Sequence, residues 1–551
     1  MSVVLGIAGC AGQFPPSGGP VDKTPPTIVF SSPSEKQLNF TSQKIVLRFD
    51  EYMSERSVES AVYFPPLTMS EMSFHWSGKE LTIRLTKRLD TNRTYILTIG
   101  ATAIDLRNNY LGRAYNLVFS TGSKIDTGTV TGHVYGPKLQ PYTVAAFPVT
   151  SDIDTLRPSM NPAKYVTQSD DSGSYVLQGL AEGKYRLICF DDQMRNFTYA
   201  PQADLYASAT HDIGISREAP AVDNVDFIPA EEDTSLPQLY SADLAKDGLI
   251  VLKFSETIDT SVIRPSNFLV RDSITGEKIP VDFAARLEAN QYNIVIGTTS
   301  PLPLKRKYLI TASENLTDVY HNPMAPTNNT TVLTADSATM NLAPYYFNFR
   351  DSTQNVTSYD TLFCQFILPV VRKDSATVEV SLLDSTGLEL PGFVKRTSGT
   401  IFGIVTSGLN SSEWYTAKLK YPIEIEGQKS NEAGGRDSVV ALHFRTVDST
   451  DLGDIEGVVT PVVPGKKVIV SATRADGRRF TCFADTSGKY QLDEILAGTY
   501  TVMAYVQHDS VSTYFSGHSY PYQFAEPFGV YGEPIKVRAR WTTDGVLIRM
   551  Y

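Results

Sequence analysis

The chain has 551 residues, 42% of them hydrophobic and 20% charged, with a formal net charge of -11. That length exceeds one small domain and suits about three to five. The acidic balance, without any basic block, excludes nucleic-acid binding as a function class, and after Cys10 no apolar run approaches the length of a membrane-spanning helix.

In chain order, the first stretch reads MSVVLGIAGCAGQFPPSGGPVDKTPP. An apolar run that ends in small residues has the shape of a secretory h-region and cleavage site. Its end, Ile7-Ala8-Gly9-Cys10, resembles the bacterial lipobox, in which the signal peptidase cuts before a cysteine that carries the lipid. The resemblance implies lipidation of Cys10 and a membrane as partner. The run before Cys10 is short for a signal peptide, so the true start is expected upstream. Each buried methylene of an acyl chain contributes about 0.8 kcal/mol, and stable anchoring takes more than one chain. The Pro- and Gly-rich stretch that follows reads as a semi-rigid spacer.

Next come short strand-like runs between turns, with no long helical periodicity. Ile45–Glu51 reads IVLRFDE, where Ile45, Leu47 and Phe49 alternate and would face one side of a strand. Ile250–Glu256 repeats it as IVLKFSE. Thr94-Tyr95-Ile96-Leu97 parallels Lys307-Tyr308-Leu309-Ile310, and Asp105-Leu-Arg-Asn-Asn109 parallels Asp318-Val-Tyr-His-Asn322. A degenerate version runs through Phe366, Trp414 and Phe444. The segment from VDKTPPTIVFSSP through VLRFDEYM, TYILTIG, AIDLRNNYLG and VFSTG resembles the SbsA-type bacterial Ig-like domain. It is similar to the start of Ig-like-domain lipoproteins of Bacteroidota-type bacteria.

A second repeat is sharper. Asp170–Tyr185 (DDSGSYVLQGLAEGKY) returns 315 positions later as Asp485–Tyr500 (DTSGKYQLDEILAGTY). Asp and Gly would make a turn, because Asp bonds nearby amides and Gly accepts positive φ. A strand, a second glycine turn and another strand follow. Both copies sit in segments opening with a Gly-x-Val strand, and these resemble the transthyretin-like, carboxypeptidase-regulatory-like module.

The expected architecture is therefore all-β, a tandem of β-sandwiches. Residues 1–24 are a signal remnant and spacer, 25–125 an Ig-like domain and 126–232 a transthyretin-like module. Residues 233–338 form an Ig-like domain, 339–450 a degenerate one and 451–551 a second transthyretin-like module. Glu231–Ser235 and Asp448–Asp451 read as polar linkers.

Chemistry-bearing motifs are scarce. The cysteines Cys189, Cys364 and Cys482 lie far apart in apolar runs and read as small buried thiols. Seven histidines form no HExxH, and His508, Asp509 and His518 offer too few ligands for a metal site. Asp50-Glu51 could join Asp105 at one end of a sandwich; Asp105, Asn108 and Asn109 suit calcium by type, and turn capping equally. No catalytic residue, cofactor or metal site is assigned. Tyr199, Tyr206, Tyr514, Phe515, Tyr520, Tyr522, Phe524 and Phe528 lie in turn-rich stretches. Of these Tyr514, Phe515, Tyr520 and Tyr522, in an insertion over residues 508–530, are candidates to contact a glycan or peptide; packing between modules is the competing reading. Asp-Ser/Thr followed by an apolar residue or Thr occurs ten times and resembles the O-glycosylation sequon of Bacteroidota envelope proteins. Thr155, Ser273, Thr361 and Ser438 are such candidates. The function expected is a non-enzymatic, lipid-anchored scaffold of the outer membrane with a protein or glycan partner; the alternative is a glycan-binding or adhesion protein.

Overall fold

The structure is a computed structural model. It describes residues 22–138, 140–150, 156–245, 248–335, 342–367, 378–422, 437–507 and 513–551. Cys10 and Thr155, and with them His508 and Asp509, lie outside the described residues. The fold is all-β and consists of tandem β-sandwiches. No helix among the described residues is long and apolar enough to cross a membrane. The chain divides into two compact units: residues 1–232 with 515–526 and 551, and residues 233–514 with 527–550.

The first unit begins with a sandwich of two antiparallel sheets. Strands Ile28–Ser32, Lys44–Phe49, Glu80–Leu85 and Met72–Ser77 make one, and Val62–Tyr63, Thr94–Ile99 and Tyr115–Ser120 the other. Period-two alternation sets the core: Ile45, Leu47 and Phe49 are at most 1% exposed, while Lys44 and Arg48 point to water. They pack with Leu81 and Ile83 of the neighbouring strand and with Leu97 and Phe119 of the facing sheet.

The second sandwich pairs a larger sheet with a smaller one. The larger runs Tyr165–Gln168, Thr143–Pro148, Gly183–Phe190, Leu205–Ser208 and Ala230–Glu231, with Ile213–Ile215 also on Gly183–Phe190. The smaller runs Ser174–Leu180, Gly128–His133 and Ala221–Val222, the last parallel to Gly128–His133. The larger sheet is apolar on both faces. Val144, Leu187 and Cys189 belong to the sandwich core. Ala145, Phe147, Ile188 and Phe190 build a second cluster on the outer face, closed by Phe197 and Tyr199.

The second unit holds three sandwiches. Strands Leu239–Leu244, Ile250–Phe254, Asn293–Thr298 and Val281–Arg286 face Lys278–Ile279, Phe268–Asp272, Lys307–Ala312 and Thr330–Thr334. Next, Tyr345–Phe347, Leu362–Phe366, Ile401–Ile404 and Val394–Arg396 face Thr353–Val356, Asp437–Thr446, Trp414–Pro422 and Glu379–Leu383. Last, Lys489–Leu496, Leu452–Thr460 and Thr542–Arg549 face Arg479–Phe483, Val468–Arg474, Gly498–Val506 and Phe528–Val530, with Ile535–Val537 also on Gly498–Val506.

The fifth sandwich repeats the topology of the second. In both, a three-stranded sheet has one outer strand parallel to its middle strand. In both, the Asp-x-Ser-Gly turn is built alike. Asp170 Oδ1 accepts from Ser172 N and Ser174 N at 2.9 and 3.1 Å. Asp485 Oδ1 accepts from Ser487 N and Lys489 N at 2.8 and 2.9 Å. Gly173 and Gly488 follow at φ +90° and +84°, a conformation that favours glycine.

Candidate functional site

The aromatic stretch near the C-terminus lies between strands Gly498–Val506 and Phe528–Val530, and the structure sorts its rings. Tyr514 packs edge-on against Tyr505 and Phe528, with centroids 5.8 and 5.2 Å away. Residues 515–526 belong to the first unit. Ser208 N donates to Ser516 O at 2.9 Å, Ser208 Oγ to Gln523 O at 2.9 Å, and Ala525 N to Ala209 O at 3.2 Å. His518–Ser519 and Tyr522–Gln523 form a small antiparallel hairpin. Gly517 sits at φ +91°, where a Cβ would lie 1.9 Å from Ser208 Oγ, so only glycine fits this close approach.

Arg186 organises the hairpin's inner side. Its guanidinium pairs with Asp212 at 2.9 and 3.0 Å. The same group lies 4.2 Å from the Tyr522 ring and 5.1 Å from the Phe524 ring, both within cation–π range. Burial pushes the Tyr522 phenol up. Phe515 is half-buried, and Tyr520 is 44% exposed with the Arg157 guanidinium 4.2 Å over its ring. Tyr520 and Phe524, the latter 37% exposed, are the more open aromatic rings of this segment. Tyr199 and Tyr206, which read as loop aromatics in sequence, are 2% and 0% exposed.

Glu51 meets Asp105 as the sequence suggested, whereas Asp50 does not, and a further carboxylate joins the matching pair in the third sandwich. Asp105 Oδ1 accepts from Arg107 N and Asn109 N at 2.6 and 2.8 Å, and Asn109 Nδ2 donates to Asp105 Oδ2 at 2.9 Å. Asp318 does the same with Tyr320 N, Asn322 N and Asn322 Nδ2, at 2.8, 2.8 and 2.9 Å. Glu51 lies close enough to Asp105, and Glu256 to Asp318, for like charge to raise each glutamate. Asp50 instead caps Thr27, accepting from its N–H at 2.8 Å and its hydroxyl at 2.6 Å. Sequence pairing missed Asp233, whose carboxyl brings three acidic groups within 4.8 Å of one another, the single such cluster among the described residues. Burial, and then the neighbouring carboxylates, push Glu256 and Asp318 up. Burial also pushes Glu51 up, while hydrogen bonds from Asn109 and Arg107 outweigh burial and hold Asp105 below the usual range. Burial and the crowding of Asp233, Glu256 and Asp318 both favour the protonated form of this pair.

Nucleophile-and-base geometry is sparse. Ser174 Oγ lies 3.4 Å from His133 Nδ1. The nearby Asp226 accepts from the His133 backbone N–H at 2.7 Å, so this carboxylate holds the main chain rather than orienting the ring. Cys189 and Cys364 are fully buried and Cys482 half-buried, and burial pushes all three thiols up. Ser273 and Thr361 are exposed and Ser438 is half-buried. A wide, open groove of about 760 Å³ crosses the fifth sandwich, lined by Val458, Phe483, Leu547, Asp485 and Lys489 among others. Glu456, Gln491 and Asp544 line it as well.

The fold and these sites define a multi-sandwich β-protein whose first sandwich is of a known bacterial kind: residues 22–121 match the bacterial Ig-like domain family. No curated protein matches the chain. Among solved structures, the N-terminal part of the bacterial S-layer protein SbsC is 18% identical, with 38% of this chain and 44% of that one covered and a TM-score of 0.18. BcpA, the major pilin subunit of Bacillus cereus, is 11% identical, with 77% of this chain and 99% of that one covered and a TM-score of 0.13. An L,D-transpeptidase from Mycobacterium smegmatis is 13% identical, with 37% and 87% covered and a TM-score of 0.15. The chain spans 44% and 41% of the two S-layer chains it matches. At such TM-scores these likenesses carry no argument.

Proposed function

We propose that the chain is a non-enzymatic scaffold of a bacterial envelope, held at the outer membrane by a lipid on Cys10 and offering its sandwiches to a protein or glycan partner. The Ig-like match over residues 22–121 and the tandem sandwiches support this reading. The shared topology and shared Asp-x-Ser-Gly turn support transthyretin-like modules at the second and fifth places.

The observation that carries the proposal is how the polar groups are used. Asp105, Asp170, Asp318 and Asp485 cap turns, Arg186 and Asp212 hold rings in place, and Asp226 holds a backbone amide. Groups spent on building rigid sandwiches suit a structural role. Exposed Ser273 and Thr361 are compatible with glycosylation outside the cytoplasm.

The test is metabolic labelling with an alkyne fatty acid in a bacterial host expressing the full upstream reading frame. Label on the N-terminal peptide in the membrane fraction, lost in Cys10→Ser, is the expected result. An unlabelled, soluble wild-type protein overturns the anchor. The exposed Tyr520 beneath Arg157 favours one second reading, stacking on a sugar. Glycan-array binding abolished by Tyr520→Ala would establish it; binding that is absent or unchanged sets it aside.

A further inference from the structure

The groove on the fifth sandwich is the outer face of its three-stranded sheet. Ile455, Val459, Leu492, Val546 and Ile548 turn into the core, and the residues between them line the groove. Val458, Leu547 and Phe483 are exposed there. The register between Leu452–Thr460 and Thr542–Arg549 skips between Ile455 and Gly457, which leaves Asp544 and Gly545 beside Glu456. Neither Glu456 nor Asp544 has a hydrogen-bond or ion-pair partner for its carboxylate among the described residues. The cations of this face lie elsewhere: Lys489 stands near Asp485, and Lys467 Nζ is 5.6 Å from the Phe483 ring.

The fold does not require this arrangement. In the second sandwich Tyr175 faces Gly132 as Tyr490 faces Gly457, and Val225 accepts from the tyrosine as Val546 does. Thr131 and Asp223 therefore hold the places of Glu456 and Asp544, and they satisfy each other: Thr131 Oγ1 donates to Asp223 Oδ1 at 2.6 Å. The fifth sandwich has two carboxylates in place of that pair, next to an apolar strip.

The third sandwich carries the complement. Lys305-Arg306-Lys307 is the one run of three consecutive basic residues in the sequence, and Leu304 precedes it. All four are exposed in the turn that enters strand Lys307–Ala312. The backbone of this turn is pinned: Lys305 N donates to Ala335 O at 2.6 Å and Ala335 N to Arg306 O at 2.9 Å. Arg306 pairs with Asp272 at 3.0 Å, whereas Lys305 and Lys307 have no acidic partner among the described residues.

We infer that the Leu304–Lys307 turn of one copy docks in the fifth-sandwich groove of a second copy, with Leu304 on the strip of Val458 and Leu547 and the two free lysines against Glu456 and Asp544. Within one chain no hydrogen bond or ion pair joins these two places among the described residues, so the turn comes from another molecule. Each copy has one turn and one groove, so the contact is head-to-tail and extends as an open chain or closes as a ring. Ion pairs in water add little each, and so small a contact is weak, with a dissociation constant on the order of 0.1–1 mM. Salt screens it. The contact names one protein partner for the scaffold proposed above. Neither lipid nor glycan enters it, so either reading can fail alone.

The experiment is analytical ultracentrifugation of the full chain from about 10 to about 500 µM, at about 50 mM and about 500 mM salt. Two double variants accompany it: Lys305→Glu with Lys307→Glu, and Glu456→Lys with Asp544→Lys. Circular dichroism melting confirms that both fold. The expected result is a weight-average mass that rises with concentration at low salt and falls back at high salt. Each double variant alone associates at least about tenfold more weakly, since like charges now face each other. An equimolar mixture of the two regains the wild-type behaviour, because every turn then meets a groove of opposite charge. A wild-type chain that stays monomeric throughout overturns the inference and leaves the groove to a different basic partner. Association that survives in both variants overturns it as well, by assigning the contact to another surface. A mixture that stays monomeric while the wild type associates refutes the pairing of turn and groove.

Discussion

Tyr175 stands opposite Gly132 across an antiparallel pair, and its hydroxyl donates to Val225 O, just beyond strand Ala221–Val222, at 2.6 Å. Tyr490 stands opposite Gly457 in the fifth sandwich, and its hydroxyl donates to Val546 O at 3.2 Å. The glycine is what allows this. A Cβ on Gly132 would lie 2.0 Å from Val225 O and 2.9 Å from the Tyr175 ring; one on Gly457 would lie 2.0 Å from Val546 O. In each module a tyrosine on one outer strand crosses the bare backbone of the middle strand to tie itself to the chain on the other side.

Gly132→Ala and Gly457→Ala are therefore expected to destabilise their sandwiches by about 1–3 kcal/mol, because backbone rather than a flexible side chain must move. Tyr175→Phe, which removes only the hydroxyl, should cost about 0.5–1.5 kcal/mol. Gly214→Ala, where a Cβ meets nothing within 4 Å, serves as the neutral comparison. Differential scanning calorimetry of the four variants checks the order. Equal losses for Gly132→Ala and Gly214→Ala would remove the steric argument.

The same comparison explains what could be read from sequence. The strands at Ile45–Phe49 and the turns at Asp170 and Asp485 rest on alternation and on side chains that bond amides two and four residues away. Such local chemistry is legible. The positions of Tyr199 and Tyr206 were not, because their burial depends on a sheet that is apolar on both faces. Runs such as TVAAF and YRLICF lack alternation for that reason. The hold of residues 515–526 on Ser208, Arg186 and Glu232 was equally hidden, since each partner lies hundreds of residues away. The pairing of Asp105 with Asp318 was visible as a repeat; the approach of Asp233 required the chain path.

Gly179 and Glu494 occupy the same place in the repeat, at φ +79° and +53°. Glycine carries this left-handed conformation freely, whereas for Glu494 it costs of order 1 kcal/mol. Glu494→Gly should thus leave the fifth sandwich unchanged or up to about 1 kcal/mol more stable, in contrast to most substitutions of a side chain by glycine. Gly179→Ala should destabilise, since its Cβ would also meet Ile96 at 2.9 Å and Val118 at 3.1 Å. Urea unfolding of both variants tests the pair, and a clear loss in Glu494→Gly would show that its side chain has a role of its own.

The thiols give a chemical prediction. Burial pushes Cys482 up to about 11 and Cys364 up to about 12, and Cys189 is raised as well. At pH 8 only about a thousandth of Cys482 would be thiolate, and the thiolate is the reactive form. Iodoacetamide should leave all three nearly unmodified in the native protein, with half-buried Cys482 the first to react, and should modify them fully in denaturant. Peptide mass spectrometry reads this directly. Rapid native labelling of Cys364 would contradict its burial.

The carboxyl pair of the third sandwich predicts a pH dependence of definite sign. Glu256 and Asp318 are both raised, by burial first and by neighbouring carboxylates after it. An acid whose folded-state affinity for protons exceeds its unfolded one favours folding below the ordinary carboxylate range, and that contribution fades as pH rises through the raised value. Glu256→Gln cannot ionise and so removes one charge from the cluster with Asp233 and Asp318. Its expected effect at pH 7 is a melting temperature higher by about 2–4 °C for the transition of that sandwich, narrowing towards zero near pH 4. Glu51→Gln, at the matching place in the first sandwich, should give a smaller gain, because Asp105 is held below the usual range whereas Asp318, more buried and crowded by Asp233, is raised. Calorimetry across pH 4 to 8 decides the matter. If Glu256→Gln lowers the melting temperature at pH 7 and the loss disappears at pH 4, the glutamate is stabilised as an anion, and the upward push on the pair is refuted.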